Sequence, residues 1–367
     1  MLAVGIVGWR GMVGSVLMSR MESENDFSRL EAVFFSTSQA GHQGPQGNIL
    51  KDAYHLPALA EMDVIVSCQG GSYTGQVHPQ LRAMGWRGYW IDAASTLRME
   101  SSAVIALDPV NRSLIDAALD GGCRDFVGGN CTVSLLLMAL AGLLKANVVE
   151  WISSMTYQAA SGGGARHMRE LLTQMEQLGR LALPGSGVAD DILALDTAVA
   201  DEARNSLDTT CFGVPLAASA IPWIDTEVSP GQSREEWKAE VEGNKILGRS
   251  GLDMIPIDGL CVRVGSMRSH AQALTIKLNR EISPLEIEDL LRQSHEWVSV
   301  VPNSPESSKQ KLTPLTVSGQ LDVAIGRIRQ MSMGKDIISA FTVGDQLLWG
   351  AAEPLRRALN IIVDNKP

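Results

Sequence analysis

The segment F-V-G-G-N-C-T-V-S, residues 126–134, holds the side chain best suited to covalent chemistry. Cys131 follows Gly128, Gly129 and Asn130 and opens an apolar run of helical length. A thiol at a helix N-terminus meets the partial positive charge of unpaired amides, which lowers its pKa and favours the thiolate. The same amides offer a place for an oxyanion. The chain has five cysteines (Cys68, Cys123, Cys131, Cys211 and Cys261), with no C-x-x-C spacing. An odd count without such pairs fits a reducing cytoplasm and argues against a disulfide framework or a structural zinc site. Cys68, Cys211 and Cys261 lie in apolar, strand-like runs and read as inert packing residues. Cys131 is the candidate nucleophile.

A cysteine nucleophile needs an acid or base beside it, and histidine serves near neutral pH. Six histidines compete: His42, His55, His78, His167, His270 and His295. His270 opens a strand-like run just after R-V-G-S-M-R-S, so Arg263 and His270 belong to one strand-turn-strand unit. The residues alone favour it only slightly, because a solvated histidine is the ordinary case.

A second chemical signal lies at the N-terminus. Gly8, Gly11 and Gly14 stand in G-W-R-G-M-V-G, between a strand-like run and a helical one, with Arg10, Met12 and Val13 between them. Glycines here permit positive φ and bring backbone amides close to a pyrophosphate. The spacing is G-x-x-G-x-x-G rather than the commoner G-x-G-x-x-G. The next strand ends F-F-S-T-S, without the acid that would accept from the ribose 2′-hydroxyl of NAD. Thr37 and Ser38, with Arg10 nearby, suit the 2′-phosphate of NADP instead.

Elements of two kinds must hold these groups. Runs at Leu2–Val7, Leu30–Phe35, Asp63–Cys68, Gly88–Asp92 and Val104–Leu107 read as strands separated by helix-length intervals, the first interval holding a helix at Met12–Glu22. That pattern implies a parallel, doubly wound, Rossmann-like sheet. Beyond it, Cys131–Ala146 reads as a long helix and Trp151–Ala160 as an extended segment. Leu260–Met267 and Ala271–Leu278 alternate like strands of an antiparallel sheet buried on one side. Leu183–Glu202 defies assignment, and a last helix at Asp345–Leu359 is placed to return to the first domain. The expected organisation is an NADP-binding domain over 1–130, an α+β second domain over 131–344, and a C-terminal helix over 345–367.

The bulk properties agree. With 367 residues, 45% hydrophobic and 20% charged, the chain has the composition of a folded two-domain protein. A net charge of -10 argues against a general nucleic-acid binder. The most apolar stretch, Val133–Leu144, is too short to span a bilayer. The N-terminus lacks the basic region and cleavage site of a signal peptide.

Taken together, the motifs resemble those of the aspartate-semialdehyde dehydrogenase family, in its Gram-negative bacterial form, over essentially the full chain. The matching stretches include G-W-R-G-M-V-G-S-V-L-M, V-F-F-S-T-S, C-Q-G-G, Y-W-I-D-A-A-S-T-L-R-M, V-G-G-N-C-T-V-S, T-Y-Q-A-A-S-G-G-G-A-R-H-M-R-E-L-L, G-Q-S-R-E-E-W-K and F-T-V-G-D-Q-L-L-W-G-A-A-E-P-L-R-R. The resemblance implies reduction of aspartyl phosphate to the semialdehyde with NADPH, releasing inorganic phosphate, on the route to lysine, threonine and methionine. It also implies a cytoplasmic homodimer acting on a small molecule, with no metal. By position it implies Cys131 as thioester nucleophile, His270 as acid/base, and Gln158 as the residue that positions the acyl-enzyme. Arg263 would clamp the substrate α-carboxylate and Glu235 would meet its amino group. Lys238, Arg98 and Asn130 would contact phosphate. Thr37, Ser38, Gln69, Ser161, Gly162 and Gln346 would contact NADP.

Around the histidine this chain reads M-R-S-H-A-Q, where relatives have M-R-C-H-S-Q. The stretch from Gly179 to Asp208 matches poorly and falls where the family forms its subunit interface. A different acyl-phosphate reductase or a catalytically silent paralogue is the alternative. Against the first stands Glu235, useful only for a free amino group; against the second, the retention of Cys131 and His270.

Overall fold

Two seven-stranded sheets organise the computed structural model, which describes residues 1–184, 187 and 190–365. The first sheet contains Leu2–Val7 (β1), Leu30–Ser36 (β2), Lys51–Asp52 (β3), Val64–Ser67 (β4), Tyr89–Asp92 (β5), Ala103–Ala106 (β6) and Asp125–Gly128 (β7). Its order is β3-β2-β1-β4-β5-β7-β6, with every pairing parallel. Met12–Ser23 (α1), Leu56–Ala60 (α2), Gly71–Ala83 (α3) and Asp108–Asp120 (α4) lie in the connections. Strands covered by helices on both faces are buried on both, and β4 and β7 are buried at every position. The chain moves outward from β1 to β3, then returns to add β4 on the other side. That reversal opens a crevice at the carboxyl ends of β1 and β4, where such sheets bind ligands. β7 is absent from the strands read in the sequence, because its four residues run straight into Gly129 and carry no turn signal of their own.

The helix Cys131–Lys145 (α5) leaves β7 and leads to the second sheet. Every residue from Thr132 to Leu144 is buried, as expected of a helix apolar all round. The second half contains Val149–Gln158 (β8), Ala165–Arg180 (α6), Ile192–Asn205 (α7), Ala220–Ile221 (β9) and a small ribbon of Glu227–Ser229 (β10) with Gln232–Ser233 (β11). Arg234–Ile246 (α8), Ile257–Val264 (β12), His270–Leu278 (β13), Pro284–Arg292 (α9), Val298–Val300 (β14), Val323–Met331 (β15) and Gly334–Gly344 (β16) follow. The sheet order is β14-β15-β16-β13-β8-β12-β9.

Here the structure departs from the sequence reading. The sheet is mixed: β12 runs parallel to β8, and β8 lies between β12 and β13. One-sided alternation reports burial and not the direction of the neighbour, so it left this pairing open. The turn at 265–269 therefore straddles the end of β8 and does not close a hairpin. The unassigned Leu183–Glu202 stretch contains the start of α7, capped by Asp191. Residues 185, 186, 188 and 189 of that stretch lie outside the described residues, as do 366 and 367 of the expected C-terminal segment.

The last helix also differs. A π-helical turn, Leu348–Ala352, precedes an α-helix at Glu353–Asp364, which begins with Pro354 in its first turn. Leu355, Ala358, Leu359, Ile361 and Ile362 of this helix join β1 and α1 in the core of the first sheet. A buried ion network pins it: Arg356 donates to Asp26 at 2.9 Å and to Glu353 at 3.1 Å, and Arg20 pairs with Glu353. Breaking a buried pair strands the remaining charge, at about 3–5 kcal/mol. Arg356→Ala is expected to lower unfolding stability by that amount in a denaturant titration. A loss under about 1 kcal/mol would mean that Asp26 and Glu353 are satisfied without it.

Candidate active site

Strand register assembles one wall of the site. Arg263 pairs with Gln158 across β12 and β8, and Ala271 pairs with Tyr157 across β13 and β8. Gln158, Arg263 and His270 therefore share one end of the sheet, facing the N-terminus of α5. Between the two sheets lies a cavity of about 610 Å³. Cys131, Gln158, Arg263, Glu235, Lys238 and Arg98 all line it.

Asn130 caps α5. Its Oδ1 accepts from Thr132 N at 2.9 Å and from Val133 N at 3.2 Å. This corrects the expectation of free amides at the thiol, because two first-turn N–H groups are already used. Burial pushes the Cys131 thiol up to about 12; Glu235 adds to the rise, and Arg263, Arg98 and Lys238 oppose it. The resting thiol is thus protonated at neutral pH. Gly350, in the π-helical turn, presses on it: a Cβ there would lie 2.5 Å from Cys131 Cβ.

The charged side chains come mainly from α8. Ser233 and Glu236 form a reciprocal capping box at its start. Glu235, Lys238 and Glu242 then follow at spacings of three and four, which set them on one helix face. All three are buried. Glu235 accepts from Lys238 Nζ at 2.9 Å, Asn130 Nδ2 at 2.9 Å and Gln158 Nε2 at 3.2 Å. Burial works against its charge, but Lys238 and these hydrogen bonds outweigh it and hold the carboxyl below the ordinary range. Lys238 also donates to Asp225 at 2.9 Å. Arg98 donates to Gly128 O at 2.7 Å, to Ala93 O at 3.3 Å and to Glu242 at 3.2 Å, and Asn130 N donates to the same Glu242 at 2.7 Å.

Arg263 is different. It is only 8% exposed, its guanidinium donates to Ala159 O at 2.8 Å, and among the described residues no carboxylate pairs with it. A buried guanidinium without a counter-ion, in a cavity, is a receptor for an anion.

His270 sits behind Gly162, where an added Cβ would come within 3.1 Å of Nε2 and 2.7 Å of Arg263. Ala159 N donates to Nδ1 at 3.0 Å, while the buried Nε2 has no protein partner. Burial, then Arg263, pushes the ring down to about 3. The imidazole is therefore neutral with its proton on Nε2, and it presents a hydrogen-bond donor to the site rather than a lone pair.

Met12, Val13, Ser161, Gly162 and Gln346 extend the cavity wall toward the crevice of the first sheet. Gly8 has φ +77°, and a Cβ on it would fall 2.6 Å from Cys68 C, so only glycine lets the loop meet β4. Gly14 likewise leaves room only for hydrogen, against Gly8 O. Gly11 donates its N–H to Gly8 O at 3.0 Å, which closes the turn. After β2, Ser36 Oγ accepts from Ser38 N and Gln39 N, and Arg10 donates to Ser38 Oγ at 3.2 Å. Hydroxyls and a guanidinium together fit a phosphate-bearing ribose. Thr37 and Ser38 lie at this outer end, and Gln69 sits beside Gly8. These residues fit a dinucleotide.

Glu242, Asp225 and Gly350 were missed in the sequence. The face shared by Glu235, Lys238 and Glu242 was a usable signal for the first; nothing local marked the other two. Cys211 needs correction as well: it lies in a loop, its N–H donating to Glu170 at 2.5 Å, and not in a strand. Among the described residues no cluster of three or more His, Cys, Asp or Glu could hold a metal, and no helix is long and apolar enough to cross a membrane.

A parallel sheet with a glycine-lined crevice, opening on a cavity that holds a half-buried cysteine among charged side chains, is the arrangement of a nucleotide-dependent oxidoreductase. Comparison with known proteins specifies it further. Residues 3–118 match the profile of the semialdehyde dehydrogenase NAD-binding domain, and residues 140–349 that of the semialdehyde dehydrogenase dimerisation domain. The chain belongs to the semialdehyde dehydrogenase family. It is similar to aspartate semialdehyde dehydrogenase from Francisella tularensis, with 49% identity and a TM-score of 0.95, over 99% of this chain and 100% of that one. The fold alone is shared with aspartate semialdehyde dehydrogenase II from Vibrio cholerae (22% identity, TM-score 0.81, 100% of this chain and 99% of that one). It is shared too with the Candida albicans enzyme solved with NADP (16% identity, TM-score 0.66, 99% of each chain).

Two outcomes test the thiol's setting. Iodoacetamide labelling of Cys131, followed by peptide mass spectrometry, should still rise about tenfold per pH unit from pH ~7 to ~9, since the thiolate is the reactive form. A plateau near pH ~7 would show that the thiol is not raised. Gly350→Ala should cut turnover at least about a hundredfold in a protein of unchanged circular dichroism, because a misplacement near 1 Å at the reacting atom costs that much. Near-normal turnover would mean that the π-helical turn yields freely.

Proposed function

We propose that the protein reduces L-aspartyl 4-phosphate to L-aspartate 4-semialdehyde with NADPH and releases inorganic phosphate. The observation that carries this reading is the pairing of an uncompensated Arg263 with a carboxylate, Glu235, across one cavity from Cys131. Arg263 suits the α-carboxylate of an amino acid, and Glu235 suits its free ammonium. An N-acetylated substrate would leave Glu235 buried against an amide it cannot neutralise. The near-identical fold and 49% identity of the Francisella tularensis enzyme support the same substrate.

The residues supply the chemistry as follows. Cys131 attacks as the thiolate, which Arg263, Arg98 and Lys238 favour against burial. The new C–S bond displaces the acyl C–O bond, and Arg98 and Lys238 meet the charge on the departing phosphate, which takes up the proton given up by the thiol. Asn130 and Gln158 hold Glu235 in place, and Gln158 faces the acyl group. NADPH, when bound, supplies the hydride that reduces the thioester. Nε2–H of His270 donates a hydrogen bond to the resulting oxyanion. Collapse breaks the C–S bond and releases the thiolate, which takes up a proton from solvent and restores the resting thiol. Arg10, Thr37 and Ser38 would hold the 2′-phosphate; Gly8, Gly11, Gly14 and Gln69 the pyrophosphate region; Met12, Val13, Ser161, Gly162 and Gln346 the nicotinamide side.

The working form is a homodimer. Met155, Tyr157 and Leu260 are exposed on the face of the second sheet opposite α5, with Tyr157 stacked on Phe341. Apolar side chains on an open sheet face call for a partner, and a second copy of the dimerisation domain is the natural one. A single monomeric species in sedimentation at micromolar concentration would overturn this.

The assay is phosphate-dependent reduction of NADP by L-aspartate semialdehyde, with Cys131→Ser beside the wild type. Wild-type turnover is expected, with none on N-acetylglutamate semialdehyde and none from the variant. Turnover that prefers the acetylated substrate, or survives in Cys131→Ser, would sink the assignment.

A further inference from the structure

We propose that Asp345 and Gln346 are positioning residues for His270, acting through the strained Arg268–Ser269 turn that precedes it. Ser269 is fully buried and has φ +73°, in the left-handed region that a non-glycine residue adopts only at a cost in free energy. Two successive side chains hold it there. Asp345 pairs with Arg268 at 2.8 Å, and Gln346 Oε1 accepts from Ser269 N at 2.8 Å. Asp345 is itself buried and fixed, accepting from Gly319 N at 2.6 Å and Leu347 N at 3.0 Å. On the other side, Ser269 Oγ meets Ser318 Oγ at 2.8 Å.

The clamp stands where the β13–β16 ladder ends. His270 pairs with Gly344, so the residues just before His270 face those just after Gly344. The ladder's register is thereby extended by side chains into a turn that backbone pairing cannot reach. The consequence is the orientation of the imidazole. Only if the backbone turns at Ser269 does Nδ1 reach Ala159 N, and that hydrogen bond sets the proton on Nε2. Gln346 Nε2 also donates to Ser161 Oγ, which ties the same clamp to the loop that carries Gly162. Gln346, expected from the resemblance only as a cofactor contact, thus has its carboxamide engaged within the protein on both ends.

This inference rests on the proposed role of His270, and the test separates the two. Asp345→Asn and Ser318→Ala each loosen the turn from outside the ring of groups facing the substrate. For Asp345→Asn, kcat is expected to fall about ten- to a hundredfold, with KM for NADP and the semialdehyde within about threefold. Ser318→Ala should show the same split, more weakly. Nitrogen-15 spectra of histidine-labelled protein give a readout that needs no turnover. Wild-type His270 should hold one Nε2–H tautomer and not titrate between pH ~5 and ~8, whereas the Asp345→Asn ring should titrate there, toward the ordinary value near 6.5. Ser269→Gly in the Asp345→Asn background should regain part of kcat, because glycine adopts this φ without strain. If both single variants keep wild-type kcat and a fixed tautomer, the clamp has no such role, and the substrate assignment stands untouched. If Asp345→Asn fails to fold, Ser318→Ala decides by the same two readouts. A wild type inactive on the semialdehyde would overturn the proposed function, while the tautomer in the variants would still judge the clamp.

Discussion

The burial of Glu235 beside Lys238 is the interaction on which the rest of the site depends. A lone carboxylate at that depth would cost several kcal/mol or take up a proton. Lys238 and the amides of Asn130 and Gln158 make it tolerable as an anion, and in doing so they fix their own positions. Asn130 then caps α5 and sets Cys131 at its first turn. Gln158 anchors the end of β8, whose neighbours carry Arg263 and the residues after His270. One buried charge thereby binds three elements to each other.

The same logic explains the balance of charge. Arg98 is matched by Glu242, and Lys238 by Glu235 and Asp225, before any substrate arrives. Among the described residues that line the cavity, Arg263 is the cation without an acid partner. The cavity therefore holds its cations in place at low electrostatic cost, yet keeps one unmet demand, which the carboxylate of the proposed substrate would answer. Glu242 also reaches across the interface between the two sheets. Its carboxylate joins Arg98, from the turn after β5, to the backbone of Asn130, so the nucleophile is referenced to the first sheet as well as the second.

Much of this was legible in the sequence, and for identifiable reasons. The parallel sheet announced itself through strands such as Val64–Ser67, whose first three residues are all apolar, and the nucleotide crevice through Gly8 and Gly14, which no larger residue replaces. Cys131 stood out by its Gly-Gly-Asn approach. What stayed hidden depends on pairing across space. The position of β8 between β12 and β13 cannot be read from alternation, because alternation is the same on either side of a strand. Glu242 looks like surface charge on a polar helix until Arg98, 144 residues away, is set against it. The thiol's pKa was read in the wrong direction, since the sequence displays a helix start but not the side chain that caps it.

A last constraint concerns strain. The π-helical turn at Leu348–Ala352 and the left-handed Ser269 are both less stable locally than regular structure, and they abut Cys131 and His270 respectively. They occur on one continuous segment and its partner: Asp345 and Gln346 hold the turn before His270, and Gly350 a few residues on abuts Cys131. Such geometry persists only where the surroundings over-determine it. Here Trp349 supplies part of that support, donating to Leu321 O at 2.7 Å and packing edge-on against Trp297, over which Arg357 lies while it pairs with Asp108. Asp108 belongs to α4 of the first sheet, Trp297 to the segment leading into β14 of the second. The chain's return to the first domain is thus more than a closing of topology, because the segment that crosses over sets the distance between the thiol and the imidazole.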